Sequence, residues 1–174
     1  MEKKIRTIGI LSTHSFSVNL DEVLLKNGTV GKRIKIDHPE AAAIIPFASH
    51  EEILMVRQFR YALGRETWEI PAGKMDPEET PEECVRRELL EETGYEAEQI
   101  QLVLTYAPAI GYSNELIHIF SSHHIKKVRS EMDEREISSV ERVSLDSVRK
   151  MVREGLIEDG KTLLGLSFIG LISE

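Results

Sequence analysis

The sequence predicts an α+β protein in which a small antiparallel β segment precedes a larger mixed domain. Three observations carry this. Residues 1–37 hold short alternating runs, "FSVNLDEVLL" and "KRIKID", joined through the Asn-Gly turn of "KNGTVG". Apolar runs follow at Ala41–Phe47 and in "EEILMVRQFRY", read as strands, the second long enough to be buried. A single sharply punctuated helix then separates these from later strands and two C-terminal helices. The division expected is 1–40 for the β segment and 41–174 for the main domain.

The N-terminal runs make a sheet too small to stand alone, so it is expected to pack on the rest of the chain or on a second subunit. "TWEIPAGK" interrupts regular structure at Pro71 and Gly73. In the helix beyond it, Thr80 is suited to the N-cap, Pro81 to the first turn and Glu83 to a capping box, while Gly94 supplies the stop. "IQLVLTYAP" and "NELIHIFSSHHI" read as strands around the loop "AIGYS", and "ISSVERVSL" as another. "SLDSVRKMVREG" is a capped amphipathic helix, and "DGKTLLGLSFIGLIS" a final apolar one.

Composition narrows the classes of function. Twenty-two basic against thirty acidic residues give a net charge of −8, which argues against a nucleic-acid footprint. No apolar run is long enough to span a bilayer, so no membrane partner is expected, and the N-terminus lacks the apolar core of a signal peptide. The single cysteine, Cys84, fits a reducing cytoplasm and a packing role. His50, His118, His123 and His124 show no triad or metal spacing. Trp68 reads as core or wall.

The acidic end of the punctuated helix demands a reason. Glu88 and Glu92 stand four apart with Glu91 between them, on one face, where like charges repel. They sit at the C-terminal end, where the helix dipole already disfavours them, and the last turn has no lysine. A bound cation would offset both penalties. Oxygen-only ligands favour a hard cation such as Mg²⁺, with Mn²⁺ also possible. Val85 and Leu89 form the adjacent apolar stripe that docks the helix.

Gly73, Glu79, Arg87, Glu88, Leu89, Glu91, Glu92, Gly94 and Tyr95 fill every fixed position of the Nudix box at the right spacing, so the chain resembles the Nudix hydrolases. "HPEAAAIIPF", "VRQFRYALG", "WEIPAGK" and "GYSNE" resemble the ADP-ribose pyrophosphatase and nucleoside diphosphate sugar hydrolase branch, from about Phe16 to the C-terminus. The resemblance implies an α/β/α sandwich with a mixed sheet and a metal-dependent hydrolysis of a small nucleotide, giving a nucleoside monophosphate and a sugar phosphate. It implies Glu88 and Glu92 as principal metal ligands, Glu91 as a further one and the Ala72 carbonyl as another, together a cage assembled in advance of the cation.

It implies Arg87 and Glu79 as a supporting pair, the alternatives being a plain helical pair of Arg87 with Glu91 or a surface salt bridge. It implies Glu136 as general base, with Glu134 as the alternative. Arg60, Glu69 and Glu115 are implied near the substrate, and Phe16 in a partner's base pocket within a homodimer. The branch usually carries proline before the glycine of the downstream loop. Here Ile110 precedes Gly111, which leaves nucleoside diphosphate sugars in general open. Oxidised nucleoside triphosphates, dinucleoside polyphosphates or NADH are alternative substrates, and a non-catalytic nucleotide-sensing module is the alternative of another class.

Overall fold

Alternating sequence in the first forty residues becomes three antiparallel strands in the computed structural model, which describes residues 1–129 and 137–172. β1 (Lys3–Ser12), β2 (Ser17–Leu24) and β3 (Val30–Asp37) form a meander in that order. Gly28 makes the β2–β3 turn possible by taking φ +84°, a conformation that L side chains rarely adopt. The chain divides into two compact units. One is Met1–Glu40 with Tyr106–Leu116, and the other is Ala41–Thr105 with Ile117–Glu174. In the first unit, β3 takes the loop as a partner, since the Ile36 amide donates to the Tyr112 carbonyl at 2.7 Å. One face of this sheet leaves Leu11, Leu24, Val30 and Ile34 exposed.

The second unit contains two sheets. β4 (Ala41–Pro46) lies between β7 (Ala72–Lys74), antiparallel, and β9 (Ile117–Lys127), parallel, with β8 (Tyr95–Tyr106) beyond β9. β5 (Glu52–Arg60) is central to the other sheet, between β10 (Ile137–Ser144) and β6 (Arg65–Glu69). Every residue of β4 is buried, as expected of a strand covered on both faces. Successive side chains point to opposite faces. Ala42 and Ile44 pack with Cys84, Val85 and Leu89 of helix α1 (Pro81–Thr93). Ile45 instead meets Gly165 of helix α3 (Gly160–Phe168). The mixed sheet is therefore sandwiched between helices. Helix α2 (Leu145–Arg153), N-capped by Ser144, packs on β10.

One sequence expectation needs correction. The "TWEIPAGK" stretch is not irregular through Gly73: two strands enclose a break at Ile70–Pro71, because Ala72–Lys74 pairs with Ala41–Ala43. Likewise β8 begins at Tyr95, directly after the helix stop. Among the described residues no helix is long and apolar enough to cross a membrane.

Candidate active site

Helix α1 carries the acidic cluster, and its start is fixed locally. The Thr80 side chain accepts from the Glu83 amide at 3.3 Å while the Glu83 carboxylate accepts from the Thr80 amide at 2.9 Å. Such a closed box stabilises a helix start by roughly 1 kcal/mol. Its end is fixed by Gly94, left-handed at φ +75°, whose amide donates to the Leu90 carbonyl. Thirteen residues lie between. The helix therefore runs at a set height past β7, close enough that a Cβ on Gly73 would collide with the Glu88 carboxylate.

Before the helix, a turn with Glu78 at φ +70° brings the Glu79 carboxylate back to the Asp76 amide at 2.9 Å. Arg87 grips Glu79 through Nε and Nη2, each at 2.9 Å, and Nη2 also donates to the Lys74 carbonyl at 3.0 Å. The Arg87 bond, with the Asp76 amide and the Arg87 charge, outweighs desolvation and pulls Glu79 down to about 2. Arg87 Nη1 reaches Glu88 at 2.6 Å and Glu91 at 3.3 Å. The Arg87–Glu79 pair and the helical Arg87–Glu91 pair thus coexist, sharing one guanidinium.

Glu92 is buried. Its Oε2 accepts from the Ala72 amide at 3.0 Å, so the contact seen at Ala72 runs through its N–H. Burial, and next the charge of Glu88, push Glu92 up to about 8. Glu88 is raised as well, chiefly by burial, although Arg87 opposes it. Glu91 is half exposed.

The three carboxylates that the sequence implies as a cation cage are engaged by donors within the protein. Among the described residues, no three His, Cys, Asp or Glu side chains converge as they stand to hold a metal ion. One guanidinium nitrogen of Arg87 serves both Glu88 and Glu91, while Glu92 turns to the Ala72 amide. The donor chemistry still fits a hard divalent cation. The set is oxygen-only, it is partly desolvated, and the glycine beside Glu88 leaves room that any side chain would fill.

Beside it lies a second polar group that the sequence only half revealed. Arg60 donates to Glu69 through Nε at 2.7 Å and Nη2 at 2.5 Å, a two-point pair. Desolvation works against the buried Glu69 carboxylate, yet Arg60 and the Lys161 charge hold it down at about 2. The charges of Lys161 and Arg60 also act on Glu92. Trp68 points to the opposite face, where Arg57 lies 5.2 Å over its ring. Lys161 had no signal in the sequence, because a lysine in an apolar helix shows nothing of its partner 92 residues away.

In the first unit, Phe16 and His38 rings lie 5.7 Å apart and His38 Nδ1 is 3.3 Å from Glu115. Glu115 and Phe16 thus share a cluster organised by His38, which the sequence reading passed over. Glu136 and Glu134, the candidates for general base, lie outside the described residues. His123 stacks on Phe47 at 4.0 Å and His118 contacts Thr105 at 2.9 Å, away from any triad or metal arrangement among the described residues.

Residues 37–163 match the family model described as NUDIX domain. A methanol dehydrogenase activator of Bacillus methanolicus is 35% identical over 172 residues, 98% of this chain and 93% of that protein. An ADP-ribose pyrophosphatase of Bacillus subtilis (strain 168) is 34% identical over the same share of each. A GDP-mannose pyrophosphatase of Salmonella paratyphi B is 33% identical, across 92% of this chain and 91% of that one. The crystal structure of an ADP compounds hydrolase has the same fold, with a TM-score of 0.81 over 97% of this chain and 92% of that chain at 19% identity. With its box filled, its helix capped at both ends and relatives matched over nearly their whole length, the chain belongs to the Nudix hydrolase family.

Proposed function

We propose that this protein hydrolyses the diphosphate bond of ADP-ribose or a related nucleoside diphosphate sugar with Mg²⁺, releasing a nucleoside monophosphate and a sugar phosphate. The observation that carries this reading is that one short segment brings together groups suited to both signs: Arg60, suited to an anion, is held on Glu69, while Glu92, suited to a cation, is held on the Ala72 amide and Glu88 lies against Gly73. A metal-bound diphosphate presents both signs. The names of the Bacillus subtilis and Salmonella relatives support the substrate class.

Glu88 and Glu92, with Glu91 and Ala72 further, would hold the ion, and Mn²⁺ could replace Mg²⁺. When bound, the ion would neutralise diphosphate oxygens and lower the pKa of a water. Arg87, fixed by Glu79, orients Glu88. Arg60 binds a phosphate oxygen. Glu136, or Glu134 in its place, takes the proton from the attacking water as one bridging P–O bond breaks. In the first unit, Glu115 and Phe16 are assigned to the nucleoside, Phe16 across a homodimer, and the 1–40 segment to dimerisation and substrate enclosure. Cys84, free and buried, suits a reducing cytoplasm.

The test is a panel of ADP-ribose, ADP-glucose, GDP-mannose and UDP-glucose with Mg²⁺, following release of the nucleoside monophosphate. Cleavage of a nucleoside triphosphate and of no diphosphate sugar would overturn the reading. A second reading, action on a dehydrogenase, is favoured by the 35% identity to the Bacillus methanolicus activator. Stimulation of an alcohol dehydrogenase without any diphosphatase activity would favour it instead.

A further inference from the structure

Helix α3 begins with a short polar sequence, "EDGKT", that would ordinarily face solvent. Instead Lys161 is only 8% exposed and Thr162 is fully buried. Asp159 caps the helix, accepting from the Thr162 amide at 3.0 Å and from its hydroxyl at 2.6 Å. The Thr162 hydroxyl in turn accepts from the Ile70 amide at 3.0 Å, and Lys161 Nζ bridges Asp159 and Glu69. Both contacts of this first turn therefore land on consecutive residues of one segment, Glu69 and Ile70, just ahead of Ala72 and Gly73.

Burying an ammonium costs several kcal/mol unless it is paired, so its placement here calls for a reason. The Glu69 carboxylate supplies one. Its Oε1 accepts from Arg60 Nε and from the Thr67 hydroxyl, the latter at 2.5 Å, and its Oε2 accepts from Arg60 Nη2 and from Lys161. Each oxygen thus has one bond to Arg60 and one to a buried anchor. With both anchors in place the carboxylate plane cannot rotate, and the planar guanidinium paired to it is held in the same orientation. Arg60 itself stays 42% exposed at its side chain, and its bonds to Glu69 run through Nε and Nη2.

We propose that Lys161 is a positioning residue for substrate binding: it fixes the Glu69 carboxylate, and through it the direction in which Arg60 presents its guanidinium to the diphosphate. The inference rests on the proposed role of Arg60 in a diphosphatase. Lys161 touches no substrate. It acts by removing a rotational freedom that Arg60 would otherwise lose on binding, a cost that falls on affinity and not on the chemical step.

A double-mutant cycle with ADP-ribose and Mg²⁺ tests this, using wild type, Lys161→Met, Arg60→Ala and the double variant. Lys161→Met is expected to raise KM about tenfold with kcat within about twofold, the scale on which supporting partners act. In the Arg60→Ala background the same change should alter kcat/KM by less than about twofold, because the residue it positions is gone. An equal loss in both backgrounds, or no loss in the first, overturns the proposal. Should Lys161→Met lose its cooperative unfolding transition, Lys161→Leu, which is apolar and likewise has no donor toward Glu69, takes its place in the cycle, and the same results support or overturn the proposal. Wild-type protein that cleaves no diphosphate sugar refutes the proposed function itself. Cycles on the Kd for ADP-ribose, by calorimetry, then decide the coupling separately.

Discussion

Arg87 holds Glu79 by two parallel hydrogen bonds of 2.9 Å while its remaining nitrogen holds Glu88 at 2.6 Å. One planar side chain therefore ties the turn before α1 to the carboxylate proposed to bind a metal. Lysine cannot reproduce that three-way fork. Arg87→Lys is expected to lower activity about 10–100-fold as the aim of Glu88 is lost, and to lower the melting temperature by a few degrees as the two-point hold on Glu79 goes with it. Mg²⁺-dependent kinetics beside a thermal melt check both halves.

Glu92 lies inside the protein, with a single backbone donor at Ala72. Glutamine retains an oxygen for that amide but not the charge. Glu92→Gln should therefore fold normally, lose turnover, and lose the rise in melting temperature that Mg²⁺ gives wild type. A Mg²⁺-dependent stabilisation that survives the change would refute the ligand assignment.

Gly73 stands opposite Ala42 in β7, where an added methyl would meet the Glu88 carboxylate. Gly73→Ala must displace Glu88 or the helix carrying it. Activity should fall at least about a hundredfold while stability to urea falls by less than about 1 kcal/mol, because the atoms displaced are the far end of the Glu88 side chain.

Glu69 is held at about 2 against an ordinary 4.5. Its folded-state value is depressed, so its contribution is complete above 4.5 and drains away as pH falls toward 2. That contribution is at most about 3 kcal/mol. Urea unfolding across this acid window should show wild type losing stability more steeply than Glu69→Gln. Parallel slopes would count against it.

The face of the N-terminal sheet carrying Leu11, Leu24, Val30 and Ile34 exposes these apolar side chains within one chain, beside a charged row of Arg6, Glu22 and Lys32. If it is the dimer interface, Ile34→Lys should shift the mass toward a monomer in size-exclusion chromatography with light scattering. A wild-type monomer at micromolar concentration would end the dimer proposal.

What could be read from the sequence was local. Helix α1 was legible to the residue because Thr80, Pro81, Glu83 and Gly94 act within a turn of their own positions. The box spacing identified the family for the same reason, since its positions lie on and around one turn and one helix. β7 was not legible, since three residues become a strand only by pairing with Ala41–Ala43, about thirty positions earlier in the chain. Nor was the state of the glutamates. Their spacing announced mutual repulsion, but the donors that relieve it, the Ala72 amide and the Arg87 fork, depend on where β7 sits. Lys161 and Glu69 meet only once α3 has docked.

Tyr106–Leu116 belongs with the N-terminal strands and not with the sequence on either side of it. The polypeptide thus passes from one unit to the other three times. A graft or truncation that treats the first forty residues as a detachable cassette would leave the Tyr112 carbonyl and Asn114 amide without Ile36, their hydrogen-bond partner. Exchange of this module between relatives has to carry both pieces, so whatever specificity it confers is inherited as two separated stretches that must change together.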